Sequence, residues 1–181
     1  MGGNSGRKSK RRSTASFAAC VLVNSVVFLA AAGSAAGEPQ PRFGSGPVLP
    51  VRGGYDAATR ALFTQAARGN PRAQARLGFM YEYGRGVPQN YVTAVRWYQA
   101  AAEQGDASGQ YFLGMMFEKG HGVPQSDTLA YMWLNLATSH AEPRVRDYFA
   151  HIRDAVANKL SPAQMGDAQW LALSFTPKNA P

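Results

Sequence analysis

The chain has 181 residues and a formal net charge of +8 at pH 7, and its one cysteine, Cys20, lies near the N-terminus. A single cysteine excludes an intramolecular disulfide, and the chain beyond residue 36 cannot form a thiolate metal site. Five of the 19 basic residues and none of the 11 acidic ones lie within the first 36 positions, so the rest of the chain has a net charge of only +3. It also lacks the basic, aromatic-rich stripe of a nucleic-acid-binding protein.

Residues 1–36 have the layout of a secretory signal peptide. A basic leader precedes a largely apolar run over residues 17–32, and Ser34, Ala35 and Ala36 offer small residues for cleavage. If the segment is cleaved, we expect a periplasmic protein without membrane contact. If it is not, the segment would anchor the protein in the inner membrane, facing the periplasm. The run is shorter than the ~20 residues that span a bilayer comfortably, which favours cleavage.

Residues 37–54 contain four prolines and five glycines, and this composition predicts a flexible linker. The chain that follows is rich in alanine, leucine, tryptophan and tyrosine at helical spacing. We therefore place one folded domain at residues 55–175 and a short tail at 176–181. About 120 residues are enough to bury a hydrophobic core.

A 36-residue segment occurs twice in tandem within this domain. Residues 77–88 read LGFMYEYGRGVP and residues 113–124 read LGMMFEKGHGVP; the full segments share 14 of 36 positions. Composition alone would give roughly two identities. Such a period is typical of repeat proteins whose units stack into one continuous core. None of the shared residues is Ser, Cys, His or Asp, so the duplication predicts a shape rather than a reaction.

Each unit is predicted to be a pair of helices, A and B. Helix A spans 71–83 in the first unit and 107–119 in the second, with Asn70 and Asp106 as N-caps and Gly84 and Gly120 as terminators. Helix B begins after Asn90 in the first unit and after Ser126 in the second. The side chains expected to face inward recur every three or four residues: Ala73, Leu77, Tyr81, Ala94, Trp97 and Ala101, and in the second unit Gly109, Leu113, Phe117, Ala130, Trp133 and Ala137.

The domain is divided into four parts. A half repeat at 55–69, which is a lone B-type helix, precedes full repeats at 70–105 and 106–141. A degenerate C-terminal cap follows at 143–175, with one helix over 143–159 and a last helix opened by the capping box of Ser161 and Gln164 and ending near Ser174. Trp170 lies 37 residues after Trp133 and is expected in the core. The fold class is therefore all-α, an α/α repeat solenoid of about seven helices.

The pattern Ala-x3-Leu-Gly-x2-Tyr-x2-Gly-x-Gly-Val-Pro, followed by Ala-x2-Trp and Ala-Ala-x2-Gly, resembles the Sel-one-like repeat (SLR), a relative of the tetratricopeptide repeat (TPR). The resemblance is close over residues 55–140 and loose over 143–174. It implies a TPR-like right-handed α/α superhelix that mediates protein–protein interaction, often as an adaptor in signalling or envelope processes. Gly109 replaces the usual alanine, and Asn90 and Ser126 replace the usual acidic cap.

The sequence contains no catalytic, cofactor-binding or metal-binding motif. Neither a Gly-x-Ser-x-Gly elbow, a phosphate loop nor a His-x-x-x-His pair is present. His121 is interpreted as a turn residue, His140 as a helix-end residue, and His151 with Asp154 as a surface pair. Some cysteine-rich relatives have been discussed as β-lactam-binding proteins, but this chain lacks their cysteine pairs.

A second line of side chains runs along helix A beside the inward stripe. It consists of Arg76, Met80, Tyr83, Phe112, Met116 and Lys119. Because the A helices of α/α solenoids usually line the concave face, we expect this mixed apolar and cationic strip to bind a peptide or helix of a partner protein. The alternative is that Met80 and Phe112 fill the seam between successive units.

The sequence thus predicts a non-enzymatic adaptor or scaffold in a bacterial cell envelope, without cofactor or metal and with a protein partner of unknown identity. A first alternative is an accessory subunit of a periplasmic cell-wall or polysaccharide enzyme. A second is a hydrolase akin to the β-lactamase-like relatives, which would need a pocket of convergent polar groups.

Overall fold

A computed structural model describes residues 56–178 of the chain. The predicted signal peptide (1–36), the predicted linker (37–54) and residues 179–181 lie outside the described part. The described residues form seven α-helices and no strand, which confirms the all-α fold class. Their bounds are α1 Ala57–Ala67, α2 Pro71–Tyr83, α3 Tyr91–Ala102, α4 Ala107–Lys119, α5 Asp127–His140, α6 Pro143–Ala157 and α7 Pro162–Ser174. None of these seven is both long and apolar enough to cross a bilayer.

The helices stack unit upon unit. Helices α2 and α3 form one helical hairpin and α4 and α5 form the next, while α3 packs against α4 and α2 also meets α4. The lone helix α1 covers α2 at the start of the array, and α6 covers α5 near its end. This is the neighbour-to-neighbour packing expected of a solenoid.

The predicted helix starts are confirmed by their capping hydrogen bonds. The Ala73 N–H donates to Asn70 Oδ1 at 3.0 Å, and at the equivalent position in the second unit a backbone N–H donates to Asp106 Oδ1 at 2.7 Å. Asn90 and Ser126 accept the corresponding bonds at the starts of α3 and α5. Each bond satisfies one of the N–H groups that a helix start leaves without an intrahelical partner.

The two turns that join A to B are near copies. Gly84 and Gly120 end helices α2 and α4 in the left-handed conformation, at φ +66° and +69°. The amide of Gln89 donates to the Glu82 carbonyl at 2.8 Å, and Gln125 makes the same bond one unit later. The shared Gly-x-Gly-Val-Pro letters therefore produce the same loop twice.

Buried glutamines join successive units in a way that the sequence analysis did not anticipate. Gln74 donates to the carbonyl of Ala66 at 3.2 Å, and its oxygen accepts from Gln104 at 2.7 Å. One unit later, Gln110 donates to Ala102 O at 3.2 Å and its Oε1 lies 2.9 Å from Nδ1 of His140. The Gln110 side-chain oxygen can only accept a hydrogen bond. Nδ1 of His140 is therefore the donor in this contact and carries the proton.

The core lies between the A and B helices, and glycine allows the close packing there. A Cβ on Gly114 would fall 2.9 Å from Cγ of Leu134 and 3.2 Å from the carbonyl oxygen of Ala130. A Cβ on Gly109 would fall 2.6 Å from that of Ala101, which explains why this unit has glycine where the first has alanine. At both positions a bare Cα lets the partner helix approach closely.

The C-terminal pair departs from the repeat. Helix α6 ends at Ala157, two residues before the predicted limit, and α7 begins with the predicted capping box and packs against α5. The expectation that Trp170 belongs to the core is wrong, since it is 52% exposed. Helix α7 turns its alanine side, with Ala168 and Ala172 buried, toward the array, and Trp170 lies on the opposite side.

The segment after α7 folds back along the array. The Phe175 ring meets the Trp133 ring edge-on at 5.3 Å. The Lys178 ammonium pairs with the Glu103 carboxylate, and the Lys178 N–H donates to the Glu103 carbonyl at 2.8 Å. This segment therefore covers the end of α3.

Candidate partner-binding groove

A groove of about 870 Å³ runs across the A-type helices α2, α4 and α6. We call it the A-helix groove. It is lined by Arg72, Ala75, Arg76, Phe79, Met80 and Arg85 from α2 and its turn, by Gly105, Asp106, Ala107, Ser108 and Phe112 at α4, and by His140, Glu142, Val145 and Phe149 at α6. Each of three successive units thus contributes one wall or part of the floor.

Six aromatic rings, the aromatic run, follow the groove from one unit to the next. They are Tyr83, Phe79, Phe112, Tyr111, Phe149 and Tyr148. Along this order, neighbouring ring centroids lie 4.6, 5.9, 5.3, 4.4 and 6.2 Å apart. These spacings lie within the range of favourable aromatic pairs, so the rings form a continuous chain of contacts across two unit boundaries. Phe79, Phe112 and Phe149 line the groove, with Phe149 largely buried, and the exposed Tyr83 and Tyr148 stand at the two ends of the run.

Three tyrosines of this region, Tyr83, Tyr98 and Tyr111, have pKa values raised above the ordinary value. Burial, together with the hydrogen bond between its hydroxyl and that of Tyr148, raises the pKa of Tyr111 above the ordinary value of 10. Burial and the neighbouring Glu82 raise the pKa of Tyr83. Burial and the 2.6 Å hydrogen bond to Glu82 raise the pKa of Tyr98, on whose ring Phe112 stacks at 5.0 Å. The aromatic surface therefore adds no negative charge to the groove.

Three arginines line the α2 side of the groove. Arg72 lies 3.8 Å from Glu142 at the start of α6, so this pair spans the groove where α2 and α6 begin. The Arg85 guanidinium sits over the rings of Phe79 and Tyr83, at 5.0 and 5.9 Å from their centroids. Arg76 is exposed and makes no ion pair or hydrogen bond with any other residue in 56–178.

The other ionisable groups of the groove already have structural partners. Asp106 caps α4, Glu142 faces Arg72, and the His140 ring bonds to Gln110. Ser108, the groove's hydroxyl side chain, has no hydrogen bond to a base among the described residues. Within residues 56–178 no three His, Cys, Asp or Glu side chains are grouped so as to hold a metal ion. This arrangement provides a charged, apolar contact surface rather than a nucleophile and its base.

The structure separates the six residues of the predicted strip. Arg76, Met80 and Phe112 line the groove, and Tyr83 lies beside it as part of the aromatic run. Lys119 is exposed but does not line the groove. The placement of Met116 on a binding surface is wrong, because it is fully buried in the core, and Met80 is half-buried against the core around Leu77. The alternative, in which Met80 and Phe112 fill the seam between units, holds in part: Met80 is half-buried, and Phe112 stacks on Tyr98 of the preceding unit at 5.0 Å while it also lines the groove.

Five residues of this site were not predicted from the sequence: Phe79, Tyr111, Phe149, Arg72 and Arg85. Phe79 and Tyr111 are each next to a strip residue, and Arg72 lies one turn before Arg76. Phe149 lies on α6, where no strip was predicted, and Arg85 lies in the turn. The sequence did contain a signal for Arg72 and Phe79. Residues 72, 76, 79 and 83 are spaced by four, three and four, so they describe one face of a helix as well as residues 76, 80 and 83 do. Two histidine interpretations are also refined. The His121 ring stacks on Tyr91 at 4.5 Å, and Asp154 pairs with Arg153 instead of His151.

Residues 71–106 and 107–141 each match the Sel1 repeat, the same repeat that the sequence pattern resembles. A protective antigen of uropathogenic Escherichia coli strains, whose crystal structure displays an SLR fold, is 28% identical with a TM-score of 0.60. The alignment covers 65% of this chain but only 25% of the antigen, so the chain spans about a quarter of its length. A Sel1 repeat protein from Oxalobacter formigenes is 38% identical over 52% of this chain and 71% of its own, with a TM-score of 0.48. No curated protein sequence matches the chain.

Proposed function

Because the chain belongs to the Sel1 repeat family, whose repeats typically serve as non-catalytic protein-interaction scaffolds, we propose that it is an adaptor that binds a segment of a partner protein in the A-helix groove. The observation that carries this proposal is the aromatic run, six contacting rings from three units, of which Phe79, Phe112 and Phe149 line the groove. Aromatic and arginine side chains are enriched where proteins bind each other.

The size of the groove defines the kind of partner. About 870 Å³ has room for a short segment, such as an extended peptide or one turn of a helix, and not for a folded domain. The groove is built on three packed helices, of which α2 and α4 are capped by Asn70 and Asp106, so a partner would meet a preformed surface. Preformed surfaces lose less conformational entropy on binding.

We also propose that the adaptor acts outside the cytoplasm, in the periplasm of a bacterial envelope. The basic leader and the apolar run of residues 1–36 support this placement. Fractionation of cells that express the full chain, with mass determination of the N-terminus, tests it. A full-length cytoplasmic protein would contradict export.

Site-specific photocrosslinking tests the binding surface. A photoreactive phenylalanine analogue replaces Val145, which lines the groove and is 42% exposed, or Val92, which starts α3 away from the groove and is 49% exposed. The two valines are matched in type and exposure. We expect the Val145 variant to crosslink a discrete protein in the envelope fraction and the Val92 variant to leave it free. Equal crosslinking from both positions, or crosslinking from Val92 alone, would reject the groove as the binding surface.

A further inference from the structure

We propose that the partner segment is acidic and amphipathic, with carboxylates along the α2 side of the groove and apolar side chains along the α6 side. This inference rests on the proposed function and names the chemistry of its ligand. It follows from a difference between the two sides: α2 and the turn after it contribute Arg72, Arg76 and Arg85, whereas α6 contributes Val145 and Phe149.

The arginines are not all neutralised by the protein itself. Glu142 faces Arg72, and Asp106 is committed to the start of α4, where it accepts a backbone hydrogen bond. The groove lining thus has three arginines against two carboxylates, a net charge of +1, and Arg76 and Arg85 pair with no carboxylate among residues 56–178. An incoming carboxylate would supply the counter-charge that this side lacks.

Arg85 is also held in a geometry suited to a carboxylate. Its guanidinium carbon lies 5.0 and 5.9 Å from the Phe79 and Tyr83 ring centroids, within the range of cation–π contacts. The Arg85 guanidinium makes no hydrogen bond or ion pair with another residue in 56–178, so its N–H groups stay available for a two-pronged bond to a carboxylate. The aromatic support restricts the side chain before the partner arrives, which lowers the entropy lost on binding.

The opposite side supplies the apolar half of the site. Val145 is exposed and supplies most of this surface, while the largely buried Phe149 stacks on Tyr111 at 4.4 Å beneath it and continues the floor formed by Phe112. A leucine or aromatic side chain of the partner would remove this surface from water while its carboxylates stay at the arginine side. Residues 37–54 of the chain itself fit poorly, because Glu38 is their one acidic residue against Arg42 and Arg52. The complementary segment therefore belongs to another protein.

A library of random dodecapeptides displayed on phage, panned against the full chain, supplies the probes. Selected peptides are resynthesised with a fluorescent label, and each is paired with a copy in which Asp and Glu are replaced by Asn and Gln. We expect the selected sequences to be rich in acidic and apolar residues, and the neutral copies to bind about tenfold more weakly at low salt. The double variant Arg76→Glu/Arg85→Glu should lose about tenfold or more in affinity for the acidic peptides. The control Arg68→Glu, an exposed arginine outside the groove, should change it by less than about twofold.

Crosslinking of the same peptides to the photoreactive Val145 and Val92 variants separates two kinds of failure. Peptides that crosslink at position 145 but bind equally well when neutral, or to the double arginine variant, would overturn the acidic assignment and leave the groove function standing. Peptides that crosslink at position 92, or at neither position, would overturn both. Acidic peptides that crosslink at 145 and depend on the two arginines would establish the proposal.

Discussion

Gly86 and Gly122 occupy the same place in successive turns, and alanine at the two positions should have unequal consequences. Both glycines are left-handed, at φ +72° and +74°. A Cβ on Gly122 would fall 2.7 Å from the Tyr91 carbonyl group and 2.8 Å from the Val92 nitrogen, which are backbone atoms at the start of α3. A Cβ on Gly86 would meet the terminal methyl of Met80 at 3.3 Å, and that methyl can move away.

The two substitutions share one cost and differ in another. Alanine at a left-handed position costs about 1–2 kcal/mol, partly offset by about 0.4–1 kcal/mol because the unfolded chain becomes less flexible. At Gly122 the new methyl must also push the turn away from α3, which adds about 1–3 kcal/mol of overpacking. The Gly122→Ala variant should therefore be less stable than Gly86→Ala by about 1–3 kcal/mol.

Urea unfolding of the purified protein, followed by far-ultraviolet circular dichroism, measures this difference. With an m-value of roughly 1–3 kcal/mol/M, we expect midpoints that differ by about 1 M at unchanged slope. Gly69→Ala adds a reference, since its φ is +86° and no atom lies within 4 Å of the added methyl. The urea midpoint of Gly69→Ala should be close to that of Gly86→Ala. Equal losses at Gly86 and Gly122 would show that the turn does not rest on the preceding unit as the structure indicates.

Three further outcomes follow from contacts described above or from the local environment of single residues. Tyr98→Phe removes the hydroxyl that donates to the buried Glu82 at 2.6 Å and should lower the free energy of unfolding in urea by about 2 kcal/mol. The control Tyr91→Phe removes an exposed hydroxyl and should change it little. Equal effects would argue against the buried bond. Gly166 lies within α7, and a methyl group added there would meet no atom within 4 Å. Gly166→Ala should therefore raise the free energy of unfolding by up to about 1 kcal/mol. A lower melting temperature would contradict the packing of α7. Hydrogen bonds from Thr59 lower the pKa of Asp56. The carboxylate therefore stabilises the fold above its ordinary pKa of 3.8 and loses this effect as the pH falls below that value. The urea midpoints of the wild type and Asp56→Ala should differ more at neutral pH than in acid, and a constant difference would refute this role.

The helices could be predicted from the sequence because their signals are local. A capping side chain such as Asn70 bonds three residues ahead, and a glycine such as Gly84 ends a helix through its own φ. Both signals are written within a few positions of where they act. The duplication adds a second copy of each, which explains why α2 and α4 have the predicted bounds.

The candidate site was predicted only in part, because which side of a helix stays open depends on how the units pack. Met116 and Phe112 are four residues apart on α4, yet Met116 faces the core and Phe112 the groove. The helical period gives the spacing of a face but not the angle at which the next unit covers it. Trp170 was misplaced for a related reason: α7 packs on α5, and this long-range pairing has no local sequence signal.

The buried glutamines also bear on how such a chain could change its length during evolution. The side-chain amides of Gln74 and Gln110 each donate to a backbone carbonyl of the preceding B helix. Their oxygens each accept a hydrogen bond from a side chain at the end of the B helix of the same unit. A gene segment encoding residues 106–141 therefore carries both halves of a glutamine junction together with Gly109, which the close contact with a preceding B helix requires, and its tandem duplication would create a new junction of the same kind. Recombination could lengthen or shorten the array by whole units, and each added unit would extend the reach of the surface while leaving the existing interfaces unchanged.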